Sequence, residues 1–183
     1  MERRKWTIAR IQEMMKEVDP VTITDLLIKC GFGLRHISDG VFRDVFEIVN
    51  SDYVIKIPKD GDGLCHAHDE AMGWSKVYKS KKPCAVEARK HLPQPFLYYE
   101  PSGFIIMPRY RTTANRRYDT KMKRINKIFQ EIICDGKDAD IDLGPDKYDN
   151  YGLDKRGNLI VLDLGCFSSD WWGSDNHVDG TGT

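Results

Sequence analysis

Three pairs of short apolar runs, each pair joined by a turn, constrain most strongly how this 183-residue chain can fold. The runs are rich in β-branched and aromatic residues, and Asn, Asp, Pro, Ser or Gly separates the members of each pair, which is typical of β-hairpins. The paired runs are 45–49 with 53–57, 96–99 with 104–107, and 151–153 with 159–162. The sequence therefore predicts antiparallel strand pairing in these three places.

Before and between the hairpins, apolar residues recur at the three- and four-residue intervals of amphipathic helices. Residues 8–18 and 22–30 predict two N-terminal helices, and residues 64–78 predict a third, although Gly73 weakens that pattern. A longer helix over 118–133 is predicted from one apolar face, formed by Tyr118, Met122, Ile125, Phe129, Ile132 and Ile133. Helices together with antiparallel hairpins indicate an α+β fold.

The charges of the chain balance overall but are unevenly distributed. Lysines plus arginines number 28, as do aspartates plus glutamates, so net charge argues neither for a nucleic-acid coat nor for an acidic tail. Residues 109–127 carry eight basic side chains and one acid, whereas eleven aspartates oppose four basic residues from residue 135 onward. We interpret the basic stretch as the solvated face of a helix, with an acidic partner or nucleic acid as the alternative. Such an excess of aspartates over basic residues is expected where a protein binds cations or a cationic partner.

Cysteine usage and hydropathy bear on the compartment of the protein. The five cysteines include no C-x-x-C pair, which favours a reduced, cytoplasmic protein. No stretch approaches 18 consecutive apolar residues, so no membrane span or membrane partner is predicted. The polar N-terminal residues do not form the pattern of a signal peptide.

The third hairpin carries the most specific signal for chemistry. Asn150 precedes its first strand and Asp163 follows its second, so strand pairing allows the two side chains to converge. An amide oxygen and a carboxylate at one point suit Mg²⁺, which takes a few such ligands together with water and substrate phosphate. The alternative is structural: Asn150 starts a turn and Asp163 caps a loop.

This region resembles the catalytic loop and D-F-G segment of protein kinases and kinase-like phosphotransferases. The resemblance rests on Asp142-Leu143, on Asp149-Asn150-Tyr151-Gly152 and on residues 157–165, with one hairpin between Asn150 and Asp163. It implies that Asn150 and Asp163 are the two metal ligands. The small protein kinases of bacteriophages are the most similar group.

Upstream residues extend the resemblance in the order that the family requires. Val54-Ile55-Lys56-Ile57 resembles the strand whose lysine neutralises the α- and β-phosphates of ATP. Glu70, fourteen residues later, matches the ion-pair partner of that lysine on a helix. The resemblance therefore implies that Lys56 and Glu70 belong to a nucleotide site.

Two further segments match the lid and hinge of such a site. Residues 40–45 correspond to the glycine-rich lid, in which only Gly40 is kept, because Ser38 and Arg43 take the places of the other two glycines. Val45 matches the apolar residue that covers adenine. Residues 105–110, with Met107, resemble the hinge strand, whose backbone groups would meet adenine.

The sequence departs from the family at the catalytic base. The position five residues before the metal-binding asparagine is Pro145, which cannot accept a proton. Asp142 takes the role if the loop contains a three-residue insertion, and Asp146 takes it if the loop is one residue shorter. Asp142 is preferred, because it precedes Leu143 as in the family's Asp-Leu pair and follows the apolar Ile141. A shifted carboxylate can abolish activity.

The resemblance predicts a minimal two-lobed kinase-like fold. It divides the chain into an N-terminal helical extension (1–33), an N-lobe (34–108), and an abbreviated C-lobe and tail (109–183). The implied function is ATP- and Mg²⁺-dependent phosphoryl transfer to a Ser/Thr hydroxyl of a protein substrate, in the host cytoplasm if the chain is phage-encoded. One alternative is an inactive pseudokinase-type module that binds and inhibits a host protein. Another is a small-molecule or nucleotide phosphotransferase.

Overall fold

Two antiparallel sheets form the framework of the chain, whose computed structural model describes residues 33–94, 96–112, 116–134, 141, 143 and 146–164. The larger sheet contains β1 (Leu34–Asp39), β2 (Arg43–Ile48), β3 (Tyr53–Pro58), β4 (Leu97–Tyr99) and β5 (Phe104–Pro108). Its strand order is β1-β2-β3-β5-β4. The smaller sheet contains β6 (Arg111–Thr112), β7 (Tyr151–Leu153) and β8 (Leu159–Val161), in that order.

Three α-helices accompany the sheets within the described residues: α1 (Gly61–Lys79), α2 (Ala85–Arg89) and α3 (Asp119–Ile133). Helix α1 begins where the side chain of Asp60 accepts a 2.8 Å hydrogen bond from the backbone N–H of Gly63, which satisfies one of the free donors of the first turn. None of the described helices is long and apolar enough to cross a membrane.

The main core lies between the larger sheet and helices α1 and α3. Side chains alternate between the faces of a strand, so Val54 and Met107 turn toward the helices, whereas Ile55 and Ile106 turn to the opposite face. Helix α1 contributes Ala67, Trp74 and Val77 to this core, and α3 contributes Met122, Ile125 and Phe129. The packing fixes α1 against the sheet face that also carries Lys56.

The β7–β8 hairpin is closed at its tip and attached at its base. At the tip, Asp154 accepts backbone hydrogen bonds from Arg156 and Asn158, and Gly157 adopts a left-handed conformation with φ of 79°. Next to β8, buried His91 bonds through Nδ1 to the Leu159 carbonyl at 2.7 Å, and its own carbonyl accepts from Val161 N–H. Burial lowers the pKa of His91.

The α+β class and the three hairpin pairings are confirmed. The helices predicted over 64–78 and 118–133 are present as α1 and α3, and Gly73 is buried inside α1 without interrupting it. The sequence analysis did not identify the short elements α2 and β6. The two predicted N-terminal helices lie outside the described residues.

Candidate functional site

A cavity of about 870 Å³ lies between the β1–β2 turn, one face of the larger sheet and the end of the β7–β8 hairpin. Six residues singled out from the sequence line it: Gly40, Val45, Lys56, Met107, Asn150 and Asp163. They come from separate segments of the chain, so the fold brings them together. Glu70 lies behind Lys56, fully buried.

Lys56 reaches this cavity because of its position in β3. It shares a strand face with Val54, and it lies opposite Val45 in the β2–β3 register. Its ammonium donates to Glu70 Oε1 at 2.8 Å and to the carbonyl of Leu162 at 2.6 Å. Lys56 Nζ is also 3.5 Å from Asp163 Oδ2. Lys56 and Asp163 therefore face one cleft, and Glu70 lies on α1 beside Lys56.

Glu70 is a charged residue within the buried stripe of α1. Ala67, Ala71 and Trp74, which surround it at helical spacing, are at most 5% exposed, and Glu70 itself is 0% exposed. A carboxylate is tolerated in such a place only when cations neutralise it. Lys56 and Arg43 supply that charge.

Arg43 is a site residue to which the sequence analysis assigned no role. Its side chain is 9% exposed and lines the cavity. Arg43 Nη1 lies 2.5 Å from Glu70 Oε2, and Nη2 donates to Asp163 Oδ2 at 2.6 Å. The guanidinium therefore bridges the two carboxylates of the site. The sequence contained one signal for it, because Arg43 lies two residues before Val45 and hence on the same inward face of β2.

The four charged side chains depend on one another electrostatically. Burial lowers the pKa of Arg43, but the negative charges of Glu70 and Asp163 outweigh burial, so the net shift is upward and the guanidinium stays charged. Burial raises the pKa of Glu70, and the charges of Arg43 and Lys56 oppose that rise. With these cations 2.5 and 2.8 Å from its oxygens, we assign Glu70 as ionised.

Asn150 and Asp163 meet because the β7–β8 hairpin ends between them. The carbonyl of Asn150 accepts a hydrogen bond from Leu162 N–H at 2.7 Å and a longer one from Asp163 N–H at 3.4 Å. These bonds extend the pairing of β7 with β8 by one step. The result is that an amide and a carboxylate line the same wall of the cavity.

The other part of the cavity is apolar. Val45, Val54, Met107 and Leu162 line it. One pocket thus combines an apolar surface with a cluster of cations and carboxylates, which is the composition that a base joined to phosphate groups requires.

The β1–β2 turn forms the lid of the cavity. The ring of Phe42 stacks on His66 of α1 with centroids 3.8 Å apart, and the carbonyl of Phe42 accepts from Lys59 N–H. Gly63 allows this close approach, since a Cβ there would lie 2.2 Å from the Phe42 oxygen. The lid is thereby attached to the first turn of α1.

Of the two candidate bases, Asp146 is among the described residues and Asp142 is not. Asp142 lies outside the described residues, although its neighbours Ile141 and Leu143 are buried. Asp146 is exposed and is not among the described residues that line the cavity. Asp149, which the sequence analysis did not assign, does line it.

No protein-family model matches the chain, and no curated protein is significantly similar to it. The function must therefore be argued from the residues of the site.

The donor set around Asp163 suits Mg²⁺ chemically, because a carboxylate and an amide oxygen share a wall of a cavity that has room for phosphate groups. Asp163 and Asn150 would hold the ion. A second group of possible ligands, His36, Asp39 and Asp44, has its ligand atoms within 4.8 Å of one another. It sits at the protein surface, and Asp44 already pairs with Lys59 at 3.1 Å.

Proposed function

We propose that the protein is a kinase-like phosphotransferase that transfers the γ-phosphoryl group of ATP to a Ser/Thr hydroxyl of a protein, with Mg²⁺ as cofactor. The observation that carries the proposal is the position of Lys56 at the cavity. Its ammonium donates a hydrogen bond to Glu70 of α1 and lies 3.5 Å from the carboxylate of Asp163. A strand lysine, a helix glutamate and the aspartate that follows a hairpin also occur in the order of the kinase motifs.

The residues of the cavity have distinct roles in this proposal. Val45 and Met107 would contact the adenine, with Gly40 in the lid above the phosphates. Lys56, oriented by Glu70, would neutralise phosphate oxygens. Asp163 and Asn150 would hold Mg²⁺, which when bound supplies charge neutralisation to the phosphates. Catalysis would rest on positioning and electrostatics.

The chemical step requires a group that accepts a proton. The hydroxyl oxygen of the substrate attacks the γ-phosphorus, ADP leaves, and the hydroxyl proton passes to a carboxylate. We assign that carboxylate to Asp142, because Asp142-Leu143 matches the motif and Asp146 is exposed away from the described cavity wall.

The assignment predicts how the two loop aspartates differ in a transfer assay. Wild type, incubated with Mg²⁺ and γ-labelled ATP, should label itself or proteins of a bacterial lysate. Asp142→Asn should reduce the rate by about 10²–10⁴-fold, the usual contribution of a general base. Asp146→Asn, the matched control, should leave the rate within about twofold of wild type, since an exposed carboxylate outside the site contributes no such effect. Loss of labelling only in Asp146→Asn would overturn the assignment.

A second function, an inactive module that binds a host protein, is favoured by two observations. Pro145 stands at the family's base position, and Arg43 already pairs with the carboxylate of Asp163. The basic face of α3, including Lys123 and Lys127, is exposed and available to an acidic partner. This alternative predicts no transfer to protein or small-molecule acceptors, whether the cavity binds nucleotide or not.

A further inference from the structure

Arg43 occupies a position in the cavity that the proposed function does not use. Its guanidinium lies against the carboxylate to which the proposed function assigns the metal. We propose that Arg43 is a tethered cation that competes with a divalent metal ion for Asp163 and thereby sets the metal dependence of the site. This inference rests on the proposed function, because it takes Asp163 as the metal ligand.

The contacts of Arg43 favour this role over that of a surface ion pair. One nitrogen lies 2.5 Å from Glu70, which is fully buried, so the guanidinium is anchored from inside. The other nitrogen donates to Asp163 Oδ2 at 2.6 Å, at the cavity wall. Arginine suits such a bridge because its planar group presents several donors in a rigid fork.

The charge balance shows what a metal ion must overcome. Arg43 and Lys56 carry two positive charges, and Glu70 and Asp163 carry two negative charges, so these four side chains are neutral together. Both cations approach the same oxygen, Asp163 Oδ2, at 2.6 and 3.5 Å. A divalent ion that binds Asp163 must displace Arg43 from that oxygen or bear its repulsion at short range.

Binding of a nucleoside triphosphate would change this charge balance. Its phosphate oxygens would give Arg43 an alternative partner of the kind that guanidinium groups bind well. Arg43 could then move from Asp163 to the phosphates and still have an anionic partner. Asp163 would become free to bind the metal ion, so the affinity for the metal would rise. Nucleotide and metal should therefore increase each other's affinity, and Arg43 should account for part of that coupling.

The test measures Mn²⁺ binding to the nucleotide-free protein by electron paramagnetic resonance. Arg43→Gln removes the competing charge but keeps a side chain of similar length, so it should bind Mn²⁺ about tenfold more tightly than wild type. The added Asp163→Asn should remove that gain. Arg35→Gln is the matched control and should leave the Mn²⁺ affinity unchanged, because Arg35 is exposed, pairs with Glu47 and is not among the described residues that line the cavity. Equal Mn²⁺ affinity in wild type and Arg43→Gln would overturn the proposal.

A second variant covers the case in which Arg43→Gln does not fold. Arg43→Lys keeps the charge that Glu70 needs, but its single ammonium cannot bridge both carboxylates as the fork does. It should bind Mn²⁺ about threefold more tightly than wild type, and unchanged affinity would contradict the proposal.

Because the Mn²⁺ assay uses no nucleotide, it separates this inference from the proposed function. An Asp163-dependent gain of Mn²⁺ affinity in a protein that binds no ATP would support the role of Arg43 and refute the phosphotransferase. Phosphoryl transfer by wild type, together with equal Mn²⁺ affinity in wild type and Arg43→Gln, would support the phosphotransferase and refute the role of Arg43.

Discussion

Asp163→Asn is expected to lower the rate of phosphoryl transfer by at least about a hundredfold, because it removes the only charged metal ligand that we assign. The amide keeps the size of the side chain but not its negative charge. The rate of label transfer from γ-labelled ATP under Mg²⁺ saturation measures the effect. Asp62→Asn, on an exposed residue in the first turn of α1, is the matched control and should transfer at the wild-type rate.

The substitution also removes the charge that pairs with Arg43, so folding must be checked separately by thermal melting. Asp163 is partly exposed, and the loss of its pair should leave the protein folded at assay temperature. A folded Asp163→Asn protein that transfers at more than about a tenth of the wild-type rate would contradict its assignment as the metal ligand.

Glu70→Ala is expected to lower the free energy of unfolding by about 3–5 kcal/mol, because it removes the fully buried carboxylate that neutralises the buried cations Arg43 and Lys56. Such a loss is a large share of the stability of a small protein. Denaturant unfolding, monitored by the fluorescence of buried Trp74 and the other tryptophans, measures it.

Glu87→Ala is the matched control for that prediction. Glu87 pairs with Lys90 at 2.8 Å near the surface, where removing an ion pair costs about 1 kcal/mol or less. A Glu70→Ala protein as stable as Glu87→Ala would show that the cluster of Arg43, Lys56, Glu70 and Asp163 does not hold α1 against the sheet.

The parts of the fold that could be predicted from the sequence are those with local signals. The β2–β3 and β7–β8 hairpins have turn residues between apolar runs, and α3 has a complete apolar stripe. The strand β6 has two residues and pairs with β7 from far along the chain, so no local pattern marks it. Helix α2 has five residues, too few for a helical period to be evident.

The candidate site likewise contains residues whose positions could be predicted from the sequence and one, Arg43, whose contacts could not. Asn150 and Asp163 could be paired from the sequence because one hairpin separates them. The side of β3 on which Lys56 lies follows from strand alternation, and Glu70 stands out as an acid within an apolar stripe. The contacts of Arg43 could not be predicted, because they depend on the β2–β3 register and on how α1 packs against the sheet. The sequence analysis matched Arg43 to a glycine position of the lid, and that match did not indicate a buried bridge.

The central claim is that the cavity around Lys56 binds a nucleoside triphosphate. Isothermal titration calorimetry of ATP with Mg²⁺ into wild type, Lys56→Met and Lys59→Ala tests it most directly. Lys56→Met keeps an unbranched side chain beside Trp74 but loses the charge, and Lys59, which pairs with Asp44 near the surface, is the matched control. We predict that wild type and Lys59→Ala bind ATP with similar affinity, and that Lys56→Met binds at least about tenfold more weakly. Absence of binding to wild type at millimolar ATP and Mg²⁺, or equal binding by folded Lys56→Met, would contradict the account.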